Sequence, residues 1–191
     1  MTVLTPPRHP LVNRALADAR TWCAGKIIDE RPALAHAARV AVTLGEHLDA
    51  PAPSLIAACL LHDAPEFAPR ELDLDHVLAD RYGSEVVRIV RALQAEHHAL
   101  DTDHPIIPVD DLPVLLASSA DKIVAFSSLV RRARRSGDVA GFFGCRRALL
   151  RLLPHFHDFA RAASGRIPTS LSARLGDALN ALTAAAAEGG R

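Results

Sequence analysis

The dipeptide His-Asp occurs twice in this chain, in opposite surroundings. The first copy, His62-Asp63, closes the segment SLIAACLLHD. There His62 shares a helical stripe with Leu55, Ala58 and Cys59, and Asp63 shares one with Ile56, Cys59 and Leu60. Both side chains therefore point into apolar surroundings. A carboxylate buried there costs several kcal/mol unless a cation compensates it, and no Lys or Arg lies within a turn on that segment. The second copy, His157-Asp158 in RLLPHFHDFARAA, has Arg151 and Arg161 at helical spacings from Asp158, so a surface ion pair accounts for it.

Two other segments carry matching inward-pointing groups. His36 lies on a stripe with Val40 and Leu44, and Asp121 on one with Val114, Ala117 and Val124. Three helices can thus converge on one ion. Two imidazoles and two carboxylates form a mixed nitrogen and oxygen shell suited to Mn²⁺, Fe²⁺, Co²⁺ or Zn²⁺, with Mg²⁺ also admissible, and with open positions for water. Water so held is acidified and attacks phosphorus. The competing reading is a set of buried histidines satisfied by aspartates without metal. Glu66 stands one helical turn past His62, so a helix continuing that far would aim it at the same pocket to position or deprotonate water. If the helix stops earlier, Glu66 is a surface carboxylate at a helix end.

The rest of the chain must position these groups, and its composition says how. Hydrophobic residues make up 49% and charged residues 23%, which is ordinary for a globular protein, while aromatics at 4% leave core-building to aliphatic side chains. One domain over 1–191 is expected, with a core from about 10 to 165 and a last helix over about 170–185. Lys and Arg number 22, as do Asp and Glu. That balance, with few aromatics, disfavours nucleic acid as a partner. Cys23, Cys59 and Cys145 form no CxxC pair and are expected to be small apolar residues. The beginning, MTVLTPPRHP, has no apolar signal core, and no uncharged apolar run reaches the roughly 18 residues of a membrane helix, so a cytoplasmic protein without a membrane partner is expected.

Alanine, leucine and arginine dominate and 3.6-residue periodicity recurs, which predicts an all-α bundle with the metal site between central helices. Helices are predicted from Pro10 to about Ala24, from Pro32, carrying Ala35 to Leu48, and over SLIAACLLHD, which lacks a polar face and should lie buried on all sides. Two shorter ones are expected over Asp73 to Arg81 and Ser84 to Glu96, with Gly83 as stop and Ser84 as N-cap, followed by HHALDTDHPIIPVDD as a loop. A long helix should run from Leu112 to Arg135, and another from Val139 to about Ser164 with a kink at Pro154. The last should begin near Ser170 and fray into AAAAEGGR.

The order His36, His62-Asp63, Asp121 resembles the HD-domain superfamily of metal-dependent phosphohydrolases. In PALAHAARVAVTL, Pro32, His36, Val40 and Ala41 fall where the alarmone hydrolase domains of the RelA/SpoT type carry PYxxHPxxVA. In LLHDAPEF, Glu66 falls on the first acid of their HDxxED motif. RYGSEVVRIV looks like their FGxxVxxLV, and SADKIVAFSSL falls on LADRLHNxxxL with Asp121 as ligand. The resemblance covers roughly residues 10 to 165 and implies a small alarmone hydrolase. Such an enzyme removes the 3'-pyrophosphate from guanosine tetra- or pentaphosphate, usually with manganese. It implies metal ligation by His36, His62, Asp63 and Asp121 and water activation by Glu66. Lys26 stands near the place of a basic residue that meets the base in that family, although its neighbours differ.

The departures are Phe67 for the second acid of HDxxED, Ala33 for the tyrosine of PYxxHP, and Ala125 and Ser127 for the asparagine and arginine after the last aspartate. Metal binding survives all four, whereas recognition of the nucleotide is put in question. Three functions therefore compete: an alarmone hydrolase, an HD phosphohydrolase for another nucleotide or phosphoester, and a non-catalytic regulator. A carboxylate at Glu66 argues for catalysis. The run RRARR, from Arg131 to Arg135, reads as a solvated helix end favoured by the macrodipole, or as a clamp for distal phosphates.

Overall fold

The computed structural model describes residues 2–28 and 30–188. It is all-α, as its periodicity predicts. Its helices are α1 (Pro10–Trp22), α2 (Ala33–Glu46), α3 (Pro53–Leu61), α4 (Ala64–Phe67), α5 (Leu74–Tyr82), α6 (Ser84–Ala99), α7 (Leu112–Ser136), α8 (Val139–Gly144), α9 (Arg147–Ala163) and α10 (Thr169–Glu188). Ile27–Ile28 (β1) and Arg31–Pro32 (β2) pair antiparallel, with Ile27 opposite Pro32 and Ile28 opposite Arg31. The helical reading missed this small ribbon; its β-branched pair suits an extended pleat.

Helix α3 is the axis of the first half. Leu55 through Leu61 are all buried, and the helix packs against α1, α2, α6 and α7. Its uniformly apolar sequence thus reflects burial on every side. One contiguous apolar cluster runs from Val12 on α1 to Ala186 on α10. The few aromatics are concentrated in the second half, where Phe126, Phe143, Phe156 and Phe159 are buried and the Phe126 and Phe156 rings stand 4.9 Å apart.

Local chemistry explains most of the boundaries. The His9 ring accepts from the Leu11 amide ahead of Pro10, Asp111 from the Val114 amide and Asp138 from the Gly141 amide, each satisfying a free donor of a helix start. Gly137, at φ 72°, stops α7 in the left-handed conformation. Gly83 both ends α5 and precedes α6, so Ser84 is the first helical residue rather than the cap.

Two expectations of helix extent change. The predicted helix from Val139 to Ser164 is two helices, broken at Cys145 and Arg146 after Gly144, and α9 runs on through Pro154. The alanine tail does not fray by Ala185: α10 extends to Glu188 and buries Ala185 and Ala186, while 189–191 lie outside the described residues. Helix α7 is long and apolar enough by length and composition to cross a membrane. However, 72% of that window is buried inside the bundle, which accounts for its composition.

Candidate metal centre

Four elements deliver side chains to one point. His36 comes from the first turn of α2, His62 and Asp63 from the turn that ends α3, Asp121 from the middle of α7, and His97 from the last turn of α6. The Asp121 carboxylate is the hub. Its Oδ1 lies 2.9 Å from His36 Nε2 and 3.8 Å from His62 Nε2, and its Oδ2 lies 3.1 Å from His97 Nε2. Asp63 Oδ1 is 3.3 Å from His62 Nε2. Donor atoms of His36, His62 and Asp121 all lie within 4.8 Å of one another, the spacing of groups that can share a cation.

The orientation of His62 is informative. Its Nδ1 sits 2.8 Å from the Cys59 carbonyl oxygen, which can only accept, so Nδ1 carries the proton and donates. The ring then presents Nε2 to Asp121 and Asp63. Nε2 is buried without a hydrogen-bond partner, and so is Asp63 Oδ2. A buried ring nitrogen without a hydrogen bond, facing two carboxylates, is a place that a cation can occupy, and a ligating histidine normally donates its other N–H to such a carbonyl. The donor set therefore fits a divalent metal.

The electrostatics point the same way. Burial works against the charge on Asp121, but hydrogen bonds from His36 and His97 and the charges of His36 and His62 outweigh it, holding the carboxyl well below its usual range. Burial likewise disfavours the His97 imidazolium, and the bond to Asp121 with its charge overcomes this, making the ring more basic than usual. Burial and the nearby Asp63 charge push the Cys23 thiol up to about 11. Lys122, adjacent to Asp121, does not neutralise the cluster: its Nζ lies 2.6 Å from Glu96 Oε1 and 2.9 Å from Ser118 Oγ, over the Phe159 ring.

The structure thus gathers His36, His62, Asp63 and Asp121, and exposes the two other candidates to solvent. The helix carrying His62 does not continue: α3 ends at Leu61 and α4 begins at Ala64. Glu66 is exposed on the wall of a separate pocket of about 680 Å³ lined with Arg70, Asp73 and Arg91, and makes no ion pair with the cluster. Lys26 is exposed at the base of the ribbon, where its carbonyl accepts from the Ala33 amide. The second His-Asp pair behaves as expected, with Arg161 Nη1 3.0 Å from an exposed Asp158. The sequence pattern does not single out His97, because it predicts a loop over HHALDTDHPIIPVDD, whereas α6 continues to Ala99. Its signal was present: Val86, Val90 and Leu93, all buried, form the helical stripe on which His97 is the next position. The chain matches no family model and no curated protein.

Proposed function

We propose that this chain is a metal-dependent phosphohydrolase that holds one divalent cation, Mn²⁺ by the resemblance to HD-domain enzymes, through His36, His62, Asp63 and Asp121. The observation that carries the reading is the buried His62 Nε2, aimed at two carboxylates, without a hydrogen bond while Nδ1 is fixed by Cys59. A cation bound there supplies Lewis acidity toward a phosphate oxygen and a nucleophile from water at neutral pH. The protein's own part is to fix the ligands. The Cys59 carbonyl sets the His62 tautomer, and His97 holds Asp121 Oδ2 so that Oδ1 stays turned toward His36 and His62. The cluster is half-closed, with His62 buried and the His97 side chain 26% exposed, so water and a substrate edge can enter from the His97 side.

The proposed substrate is guanosine 3',5'-bis(diphosphate), losing its 3'-pyrophosphate, with another nucleotide or phosphoester as the alternative because Phe67, Ala33, Ala125 and Ser127 depart from the alarmone pattern. Glu66 takes the water's proton in that scheme. One observation favours a regulator that binds without turnover: Glu66 is exposed and lines a pocket that none of the four ligands lines.

Metal analysis of the purified chain, with a Mn²⁺-supplemented phosphoester panel including the alarmone, tests the proposal. About one divalent ion per chain is expected, lost in His62→Ala and Asp121→Ala and kept in His157→Ala. A metal-free wild type, or equal metal in all three variants, refutes the centre. Metal without turnover of any panel member supports the regulator instead.

A further inference from the structure

Beyond His36 the surface changes character. Arg39 follows His36 by one turn of α2, and Val124 follows Asp121 by one turn of α7. These two residues line both a narrow slit, shared with Ile28, Arg31, His36 and Ser128, and a wider pocket beyond it, so the two spaces join in one groove between α2 and α7. The wider part, about 120 Å³, also meets Arg131 of α7 and Arg174 of α10. At roughly 30 Å³ per water, it has room for about four water-sized groups, the size of one tetrahedral phosphate.

Four guanidinium groups line this groove, and among the described residues none of Arg31, Arg39, Arg131 and Arg174 has an ion pair or side-chain hydrogen bond. Other arginines are engaged, Arg88 with Glu85 and Asp111, Arg91 with Asp75 and Arg132 with Glu30, and among the described residues unpaired ones such as Arg20, Arg70 and Arg147 also occur, so what sets the groove apart is that its unpaired arginines line one cavity together. The groove's arginines instead face one another. Burial, followed by the charges of Arg31, Arg39 and Arg135, lowers the affinity of Arg131 for its proton. One acid, the exposed Glu46, and His47 stand at the far end. Unpaired like charges beside a cavity are costly alone, and an anion that accepts from several of them removes the cost.

We propose that this groove is a second anionic subsite, in which Arg39 and Arg131, assisted by Arg31, hold a phosphate group of the substrate remote from the one at the metal cluster. The substrate is then a molecule carrying phosphate at two separated positions, one end reaching His36 and the other seated past Arg39. This deepens the proposed function and rests on the hydrolytic reading of the cluster. Within RRARR only Arg131 lines the groove; Arg132 is committed to Glu30 and stacks near Phe142.

The test is calorimetric titration of inorganic tripolyphosphate into chelator-treated protein, which reads the groove without the metal. Wild type should bind saturably, Arg39→Met and Arg131→Met should each bind about tenfold more weakly, and Glu46→Gln should bind more tightly. Circular dichroism checks that each variant folds. His157→Ala should bind like wild type, because its ring meets Thr183, away from both the cluster and the groove. Unchanged affinity in both arginine variants, or no saturable binding by wild type, overturns the inference. Failure of metal binding with these arginine effects intact refutes the hydrolase reading alone. In turnover, the two arginine variants should raise KM for a doubly phosphorylated substrate and leave KM for p-nitrophenyl phosphate unchanged; equal effects on both substrates also overturn the inference.

Discussion

Replacing Lys122 with methionine should destabilise the protein by about 3–5 kcal/mol at pH 7, by a route that depends on pH. The Lys122 and Glu96 side chains are 5% and 0% exposed, and their 2.6 Å bond joins α7 to α6. Methionine keeps most of the aliphatic stem, so packing changes little. What remains is a buried carboxylate without its cation, with one oxygen already lacking a partner. The cost is capped, because a carboxylate of ordinary acidity can be protonated at pH 7 for about 3.7 kcal/mol. Loss of the Lys122 ammonium over Phe159, 4.3 Å from the ring centroid, adds up to about 1–2 kcal/mol. A group that must bind a proton to fold gives stability that is present at low pH and lost as pH rises. The deficit of the variant should therefore shrink by about 2 kcal/mol between pH 7 and 5.5. Urea unfolding of wild type and variant at both pH values measures this, and Glu96→Met with Lys122→Met should lose less than Lys122→Met alone. A deficit under 1 kcal/mol at pH 7, or one independent of pH, would refute the reasoning. The pair matters to the metal centre because it clamps α6 to α7 one residue from both His97 and Asp121.

Glu66→Gln should keep fold and metal while lowering hydrolysis at least tenfold, read from steady-state rates, if this exposed carboxylate takes the water's proton; unchanged turnover removes it from the scheme. Phe67→Asp should raise release of pyrophosphate from the alarmone, measured with Mn²⁺, and because Phe67 is half-buried on α4 it should also lower Tm. Of the three thiols only the exposed Cys145 should react with Ellman's reagent at pH 8 in the folded protein, and all three after unfolding, because Cys23 and Cys59 are buried and their thiols pushed upward. Since the Cys23 thiol is raised from 9.0 to about 11, its contribution is complete below pH 9 and lost toward 11. Stability of Cys23→Ala should thus fall less than that of wild type across that window.

The helical class, nearly every helix start and the inward direction of the four ligands were legible in the sequence, because these depend on spacing along one element. Pro10 through its fixed φ, Asp111 through its bond from the Val114 amide and Gly137 through its left-handed φ mark boundaries locally, and stripes such as Val114, Ala117, Asp121 and Val124 follow from helical geometry alone. Tertiary structure decided what depends on two elements at once. Nothing near His97 in the chain announces Asp121 as its partner, and Lys122 pairs with Glu96 across 26 positions. Nor can one helix say that Arg39 and Arg131 line one groove with Arg174. The break at His62-Asp63 belongs to the same class. An unbroken helix would place Glu66 one turn above His62, while the turn ending α3 lets Asp63 approach His62 Nε2 and leaves Glu66 on the surface. Local periodicity aims a side chain at the core, and only the packing of α2, α3, α6 and α7 determines which other groups it meets there.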